Sequence, residues 1–282
     1  NGAGKSTAFR LILGLSRPTA GHIEVCGSVV ADDPIGVRSH LGYMPEHECL
    51  PLDQSAADIV ATFGELSGLP RRDARQRASD ICDLVGLDEA RFRPVSGYST
   101  GMRQRTKLAQ ALVADPQLVL LDEPTAGLDP LGRDEMLALV ARLGDFGISV
   151  LMATHLLDDV QQVCDHVVMI DGGRLVVAGD TDALLERSGT VSVDVGPPMA
   201  LPAPGQTIDA PATHPLITAL APSGLTISAA DEQRGVFDVE IRGDDDLDVL
   251  RDAVAAAGLP LYRLSSRLGS LDDVFVNQAS RP

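Results

Sequence analysis

Asn1-Gly2-Ala3-Gly4-Lys5-Ser6-Thr7 opens the chain and decides how the rest is read. Its Gly4-Lys5-Ser6 is the end of a phosphate-binding loop, whose full pattern is Gly, four residues, then Gly-Lys-Ser/Thr. The opening glycine of that pattern would lie two residues before Asn1. Nucleotide phosphates are dense in negative charge, and main-chain N–H groups can wrap them only where no Cβ blocks the approach. Gly2 and Gly4 give that access. The Lys5 ammonium can bridge the β- and γ-phosphates, the Ser6 hydroxyl can ligate Mg²⁺, and Thr7 adds a hydroxyl near the α-phosphate. A helix starting here turns its positive end to the anion. Taken alone, the stretch also fits an ordinary Gly/Ser-rich turn before a helix over Thr7–Leu15, so the decision falls to residues further along the chain.

Leu118-Val119-Leu120-Leu121 is a continuous apolar run bounded by a turn, the mark of a strand buried on both faces of a parallel sheet. It ends in Asp122-Glu123, and open α/β sheets bind ligands at the carboxyl ends of their strands. Asp122 would hold Mg²⁺ and Glu123 would polarise an attacking water. A strand that merely ends in polar residues is an equal reading in isolation; with a phosphate loop upstream the functional one prevails. Ile148–Ala153 reads as a second buried strand, delivering Thr154-His155 at the same end of the sheet.

Between these parts, His22–Cys26 alternates as a half-buried strand and Leu41–Met44 reads as another, stopped by Pro45. Residues 53 to 114 have a different character. Ala56–Phe63 and Asp73–Val85 carry helical spacing, the latter with Ala74, Ala78, Ile81 and Val85 on one face. A further helix over Thr106–Ala114, with Met102, Ala109 and Leu112 turned inward, has Ser99 placed to cap it. That helix start is a second anion site. The expected organisation is a nucleotide-binding domain over residues 1–189 with this helical subdomain, about 53–114, inserted. A Pro-rich linker and a small accessory domain follow over 190–282. There the prolines of Gly196–Pro222 precede a strand Val236–Ile241, a helix Asp244–Ala257, a strand Leu261–Leu264 and a closing helix Leu271–Asn277. Asp244-Asp245-Asp246 reads as a helix start, since three adjacent carboxylates cannot converge on one ion.

Composition narrows the function classes. The net charge is -17, which argues against a nucleic-acid surface built from clustered Lys and Arg. No apolar run reaches the ~20 residues that span a bilayer. The apolar fraction is 44% and the aromatic fraction 3%, so the cores must rest on Leu, Val, Ile and Ala. Cys26, Cys49, Cys82 and Cys164 show no ligand spacing and read as reduced, buried thiols.

In this order and spacing, the phosphate loop, Tyr98-Ser99-Thr100-Gly101-Met102-Arg103-Gln104, the Leu118–Glu123 strand, Leu128-Asp129 and Thr154-His155 resemble the nucleotide-binding subunit of an ABC transporter over about Asn1 to Ala183. The resemblance implies an α/β, P-loop NTPase fold with a mostly parallel sheet, a helical subdomain insert and here a small C-terminal α+β domain. It implies that Asn1 to Thr7 bind ATP and that Ser6 and Asp122 hold Mg²⁺. Glu123 would be the general base and His155 the switch histidine at the γ-phosphate. Ser99 and Gly101 would bind the ATP of the opposite subunit, and Asp129 would belong to the loop linking the two sites. Glu46, where relatives carry a glutamine, would be a further Mg²⁺ ligand facing the membrane partner.

The partners implied are a second copy of the subunit and an integral membrane permease, with the chain peripheral at the cytoplasmic face of the cell membrane and no nucleic acid bound. Thr100-Gly101-Met102 together with Ser270-Leu271-Asp272-Asp273-Val274-Phe275 resembles the subgroup whose ATPase is a separate polypeptide driving export. The strands that family members carry before the loop lead to the expectation that the chain is a fragment of a longer protein and alone binds ATP weakly. An ABC ATPase acting on DNA or ribosomes would want a basic surface, long arms or a second cassette. A nucleotide-binding but inactive subunit would lack Glu123 and His155.

Overall fold

A computed structural model describes residues 2–186, 190–196, 214–241 and 244–267. They fall into two compact units, the first within 2–164 with 170–175, the second within 165–169 with the described residues from 176 to 267.

The first unit begins with α1 (Lys5–Ile12), preceded by Gly2 at φ 83° and Gly4 at φ 109°, conformations that only glycine adopts without strain. A small hairpin follows, β1 (Glu24–Val25) with β2 (Ser28–Val29). It turns at Cys26 (φ 50°) and Gly27 (φ 78°), the paired left-handed conformations of a tight hairpin turn. The expected strand over His22–Cys26 is thus cut to two residues. After α2 (Pro34–Ser39), capped by Asp33, the chain enters β3 (Leu41–Met44) and stops at Pro45. Next come α3 (Ala56–Leu66), α4 (Arg71–Leu84) and α5 (Thr100–Leu112). Ser99 Oγ accepts from the Met102 N–H, so α5 starts one turn or more before the expected Thr106.

β4 (Leu118–Asp122), α6 (Pro130–Leu143) and β5 (Ser149–Ala153) complete a parallel sheet of order β3-β4-β5. Leu121 lies opposite Met44 on one side and Met152 on the other. The period of two then sorts the side chains. Val119 and Leu121 join the core under α3, α5 and α6, while Leu118 and Leu120 meet Phe9 of α1 on the other face. β5 departs from the expected buried strand. It starts at Ser149 and alternates between exposed and part-buried until Ala153, with Leu151 39% exposed, because it has only β4 as a strand partner among the described residues. α7 (Leu157–Val163) follows, and the turn end of the hairpin of β6 (His166–Asp171) with β7 (Arg174–Asp180) completes the first unit; the remainder of both strands and α8 (Thr181–Glu186) belong to the second.

The second unit contains β8 (Thr190–Val195), α9 (Pro215–Leu220), β9 (Thr226–Asp231), β10 (Val236–Glu240), α10 (Asp244–Ala256) and β11 (Leu261–Arg267). All neighbours in the β11-β8-β10-β9 sheet are antiparallel, which makes a split β-α-β-β-α-β arrangement of the ferredoxin type. Val191, Val193, Phe237 and Val239 point to one face and pack with Leu216, Leu220, Leu250 and Val254 of the two helices. Most of the Pro-rich stretch and the expected closing helix lie outside the described residues. No described helix is long and apolar enough to cross a membrane. Of the four thiols only Cys82 is buried, and burial pushes it up to about 11; Cys26 and Cys49 are exposed.

Gly42 sets the distance between sheet and helix. A Cβ there would stand 2.2 Å from the Ala111 carbonyl oxygen of α5. Gly42→Ala should therefore lower stability by about 1–3 kcal/mol, the usual cost of overpacking, read as a lower urea midpoint for the first unit.

Candidate functional site

The carboxyl ends of β3, β4 and β5 deliver three loops to one edge of the sheet, and the glycine loop before α1 meets them there. A cleft of about 380 Å³ is lined by Gly2 to Thr7, Glu46, Asp122, Glu123, Ala126 and His155. The loop is tethered from outside its own helix: the Gly173 N–H donates to the Ala3 carbonyl at 3.0 Å.

Glu123 is the centre of the site. One carboxylate oxygen lies 3.2 Å from Lys5 Nζ and the other 2.9 Å from His155 Nδ1. An ionised carboxylate can only accept, so Nδ1 carries the hydrogen in that contact. Burial pushes the Glu123 carboxyl up, but the hydrogen bonds to His155 and Lys5 and the Lys5 charge outweigh it, and the group sits below the ordinary glutamate range. Its backbone is also constrained. Glu123 has φ 50°, a left-handed conformation that costs a non-glycine residue about 1–2 kcal/mol. The conformation is held by its N–H donating to Ala153 O at 2.8 Å and its carbonyl accepting from the Ala126 N–H at 3.1 Å.

Asp122 moves the other way. Burial and then the neighbouring charges of Glu46 and Glu123 raise its carboxyl, against the lowering effect of Lys5 and a hydrogen bond with Ser6. A cation would relieve that crowding. Among the described residues no set of three His, Cys, Asp or Glu side chains closes around an ion. The Asp122 carboxylate beside the Ser6 hydroxyl suits Mg²⁺, which takes one or two carboxylates and would fill its shell with phosphate oxygens and water.

Three residues named from sequence stand elsewhere. Ser99 caps α5, Gly101 lies in its first turn with its Cβ position 3.7 Å from Leu128, and Asp129 caps α6 by accepting from the Gly132 N–H at 3.1 Å. None of them lines the cleft. Asn1 lies outside the described residues. A second hollow, of about 530 Å³, runs along α4 among Arg71, Arg72, Arg75, Gln76 and Ser79 and brings together no carboxylate or histidine.

Sequence reasoning missed the side chains that hold the loops. Asp159 of α7 is wholly buried, accepts from Thr125 Oγ1 at 2.5 Å and pairs with Arg133 of α6. It thereby ties the stretch after Glu123 to the helix after His155. Gln104, also buried, donates from Nε2 to the Ala126 carbonyl at 3.0 Å. The advance signal was faint: an acid in the first turn of the helix that follows His155. Asp159→Asn should cost about 2–3 kcal/mol, less than the loss from a fully buried pair because Arg133 keeps some solvent contact. A urea titration of the full chain checks it.

A family model described as ABC transporter matches residues 1–126. The daunorubicin resistance ATP-binding protein DrrA3 of Streptomyces coeruleorubidus is 34% identical over 280 residues, spanning 98% of this chain and 84% of that protein. The Nod factor export ATP-binding protein I of Ralstonia nicotianae is 30% identical over 282 residues, spanning 100% of this chain and 83% of that one. Among solved structures, cbiO1 from Clostridium perfringens, part of the ABC transporter complex cbiONQ, superposes with a TM-score of 0.60 at 28% identity, over 66% of this chain and 76% of that chain. With a glycine loop, a paired acid and a histidine meeting at one sheet edge and with relatives matched over nearly its whole length, the chain belongs to the ABC transporter family, as an ATP-binding and ATP-hydrolysing subunit.

Proposed function

We propose that the chain energises export by hydrolysing Mg-ATP between two copies of itself, docked on a separate integral membrane permease at the cytoplasmic face of the membrane. The observation that carries this reading is the Glu123 carboxylate, shared between Lys5 at 3.2 Å and His155 at 2.9 Å on the cleft wall. A triphosphate in the glycine loop draws Lys5 to its β- and γ-oxygens. Glu123, freed of that contact and kept ionised by its surroundings, accepts a proton from the attacking water as the oxygen bonds to the γ-phosphorus and the bond to ADP breaks. His155 orients Glu123 and meets the γ-phosphate. Ser6, Asp122 and Glu46 would hold Mg²⁺, which would supply charge neutralisation at the phosphate oxygens.

Ser99 and Gly101 lie away from the cleft lining, as suits residues that bind the ATP of the partner subunit, and so does Asp129, as suits a loop that links the two sites. Export is supported by what the relatives are: a daunorubicin resistance protein and a Nod factor export protein. The acidic charge of -17 supports a partner other than nucleic acid.

Glu123→Gln should cut turnover by about 10²–10⁴-fold, the usual weight of a general base, while ATP affinity stays within a few-fold. Turnover should rise when the permease partner is added in membrane vesicles; turnover indifferent to any permease points to a soluble ATPase. The shifted acids set a pH dependence. Asp122, raised, contributes stability at low pH that is lost as pH rises through its folded value. Glu123, lowered, contributes stability above about pH 4.3 that is lost as pH falls through its own. Since a proton on Asp122 competes with the cation, the rise in melting temperature given by Mg-ATP should be larger at pH 7 than at pH 5.

A further inference from the structure

α5 carries a lysine in its interior. Lys107 is 1% exposed, and its Nζ donates to the carbonyl oxygens of Pro45 at 2.8 Å and Glu46 at 2.9 Å. No carboxylate lies within ion-pair distance of it among the described residues. A buried ammonium is costly, so what it holds matters. The strand register ends at Met44 opposite Leu121, which leaves the Pro45 and Glu46 carbonyls without a ladder partner in the β3–β4 pairing. The contact at Gly42 explains how the lysine arrives there. The Ala111 carbonyl sits over Gly42, and Lys107, one turn earlier in a helix running opposite to β3, comes level with the residues beyond Met44. Glu46 in turn lines the cleft with Ser6 and Asp122.

We infer that Lys107 is a positioning residue for the cation side of the nucleotide cleft: by holding the Pro45 and Glu46 carbonyls it fixes the Glu46 side chain toward Ser6 and Asp122. It also ties that side chain to the helix whose first turn carries Ser99 and Gly101. The inference rests on the proposed cation position between Ser6, Asp122 and Glu46. A purely packing role would be served by any apolar chain of similar length, and replacing a buried charge by one is often neutral or stabilising.

The full chain is compared with Lys107→Met, Glu46→Ala and the double variant. Three quantities are read: the Mg²⁺ concentration for half-maximal ATP hydrolysis, the affinity for a fluorescent ATP analogue without divalent cation, and amide hydrogen exchange over residues 46–49. Lys107→Met is expected to raise the Mg²⁺ requirement about tenfold, the lower range for loss of a group that orients a metal ligand. It should leave cation-free nucleotide affinity within about twofold and speed exchange over 46–49. The double variant should be no worse than Glu46→Ala, because both changes remove one contribution. If Glu46→Ala shifts the Mg²⁺ requirement and Lys107→Met does not, the role of Lys107 is overturned. If neither shifts it, the cation reading of Glu46 fails and the inference falls with it. Should Lys107→Met not fold, Lys107→Gln, which keeps a donor one atom shorter, carries the same comparison: a smaller shift supports the inference and none overturns it.

Discussion

The first unit depends on the pairing of β4 on both of its edges. Leu118 to Asp122 is hydrogen-bonded to β3 on one side and β5 on the other, so the positions of Met44, Asp122 and Ala153 are fixed relative to one another by main-chain register. A slip of one residue would exchange Val119 and Leu121 with Leu118 and Leu120 between two different cores. It would also withdraw Asp122 and Glu123 from the edge. Because the strands are parallel, their carboxyl ends coincide. Segments distant in sequence, at Glu46, at Asp122-Glu123 and at His155, therefore meet without any of them needing a long loop.

Past the strand ends the main chain has no ladder, and single side chains take over. The stretch from Glu123 to α6 is held by the Glu123 N–H on Ala153, by Gln104 on the Ala126 carbonyl and by Asp159 on Thr125 and Arg133. The loop after β3 is held by Lys107. α5 thus supplies two of these contacts, from Gln104 and Lys107, while its first turn presents Ser99 and Gly101. One rigid helix touches the turn after the paired acid, the loop after β3 and the residues proposed to meet the partner's nucleotide.

What the sequence made legible was the chemistry written in local pattern. The glycine loop, the apolar run ending in two acids and the histidine at the next strand end each follow from residue type and spacing. Lys107, Gln104 and Asp159 were opaque because their partners are main-chain oxygens and side chains 22 to 62 residues away, and a buried lysine reads in sequence like a surface one. β5 looked like a buried strand because its residues are apolar, yet exposure depends on how many neighbours a strand has. In the second unit, Thr190–Val195 alternates plainly in retrospect, but the prolines after it drew the reading toward a linker. As a result β8, α9 and β9 were not anticipated.

The contact between Lys5 and Glu123 has a cost and a use. Lys5 Nζ, 3.2 Å from one Glu123 oxygen, already has a partner of opposite charge, and so has the carboxylate. An arriving anion must compete for Lys5, which weakens the grip of the loop on any ligand too short to reach that ammonium. On the proposed mechanism the same exchange releases Glu123 in the one circumstance where a water beside it is useful. The cleft wall is therefore a closed circuit, Lys5 against Glu123 against His155, and on the proposed mechanism a triphosphate is the key that opens it.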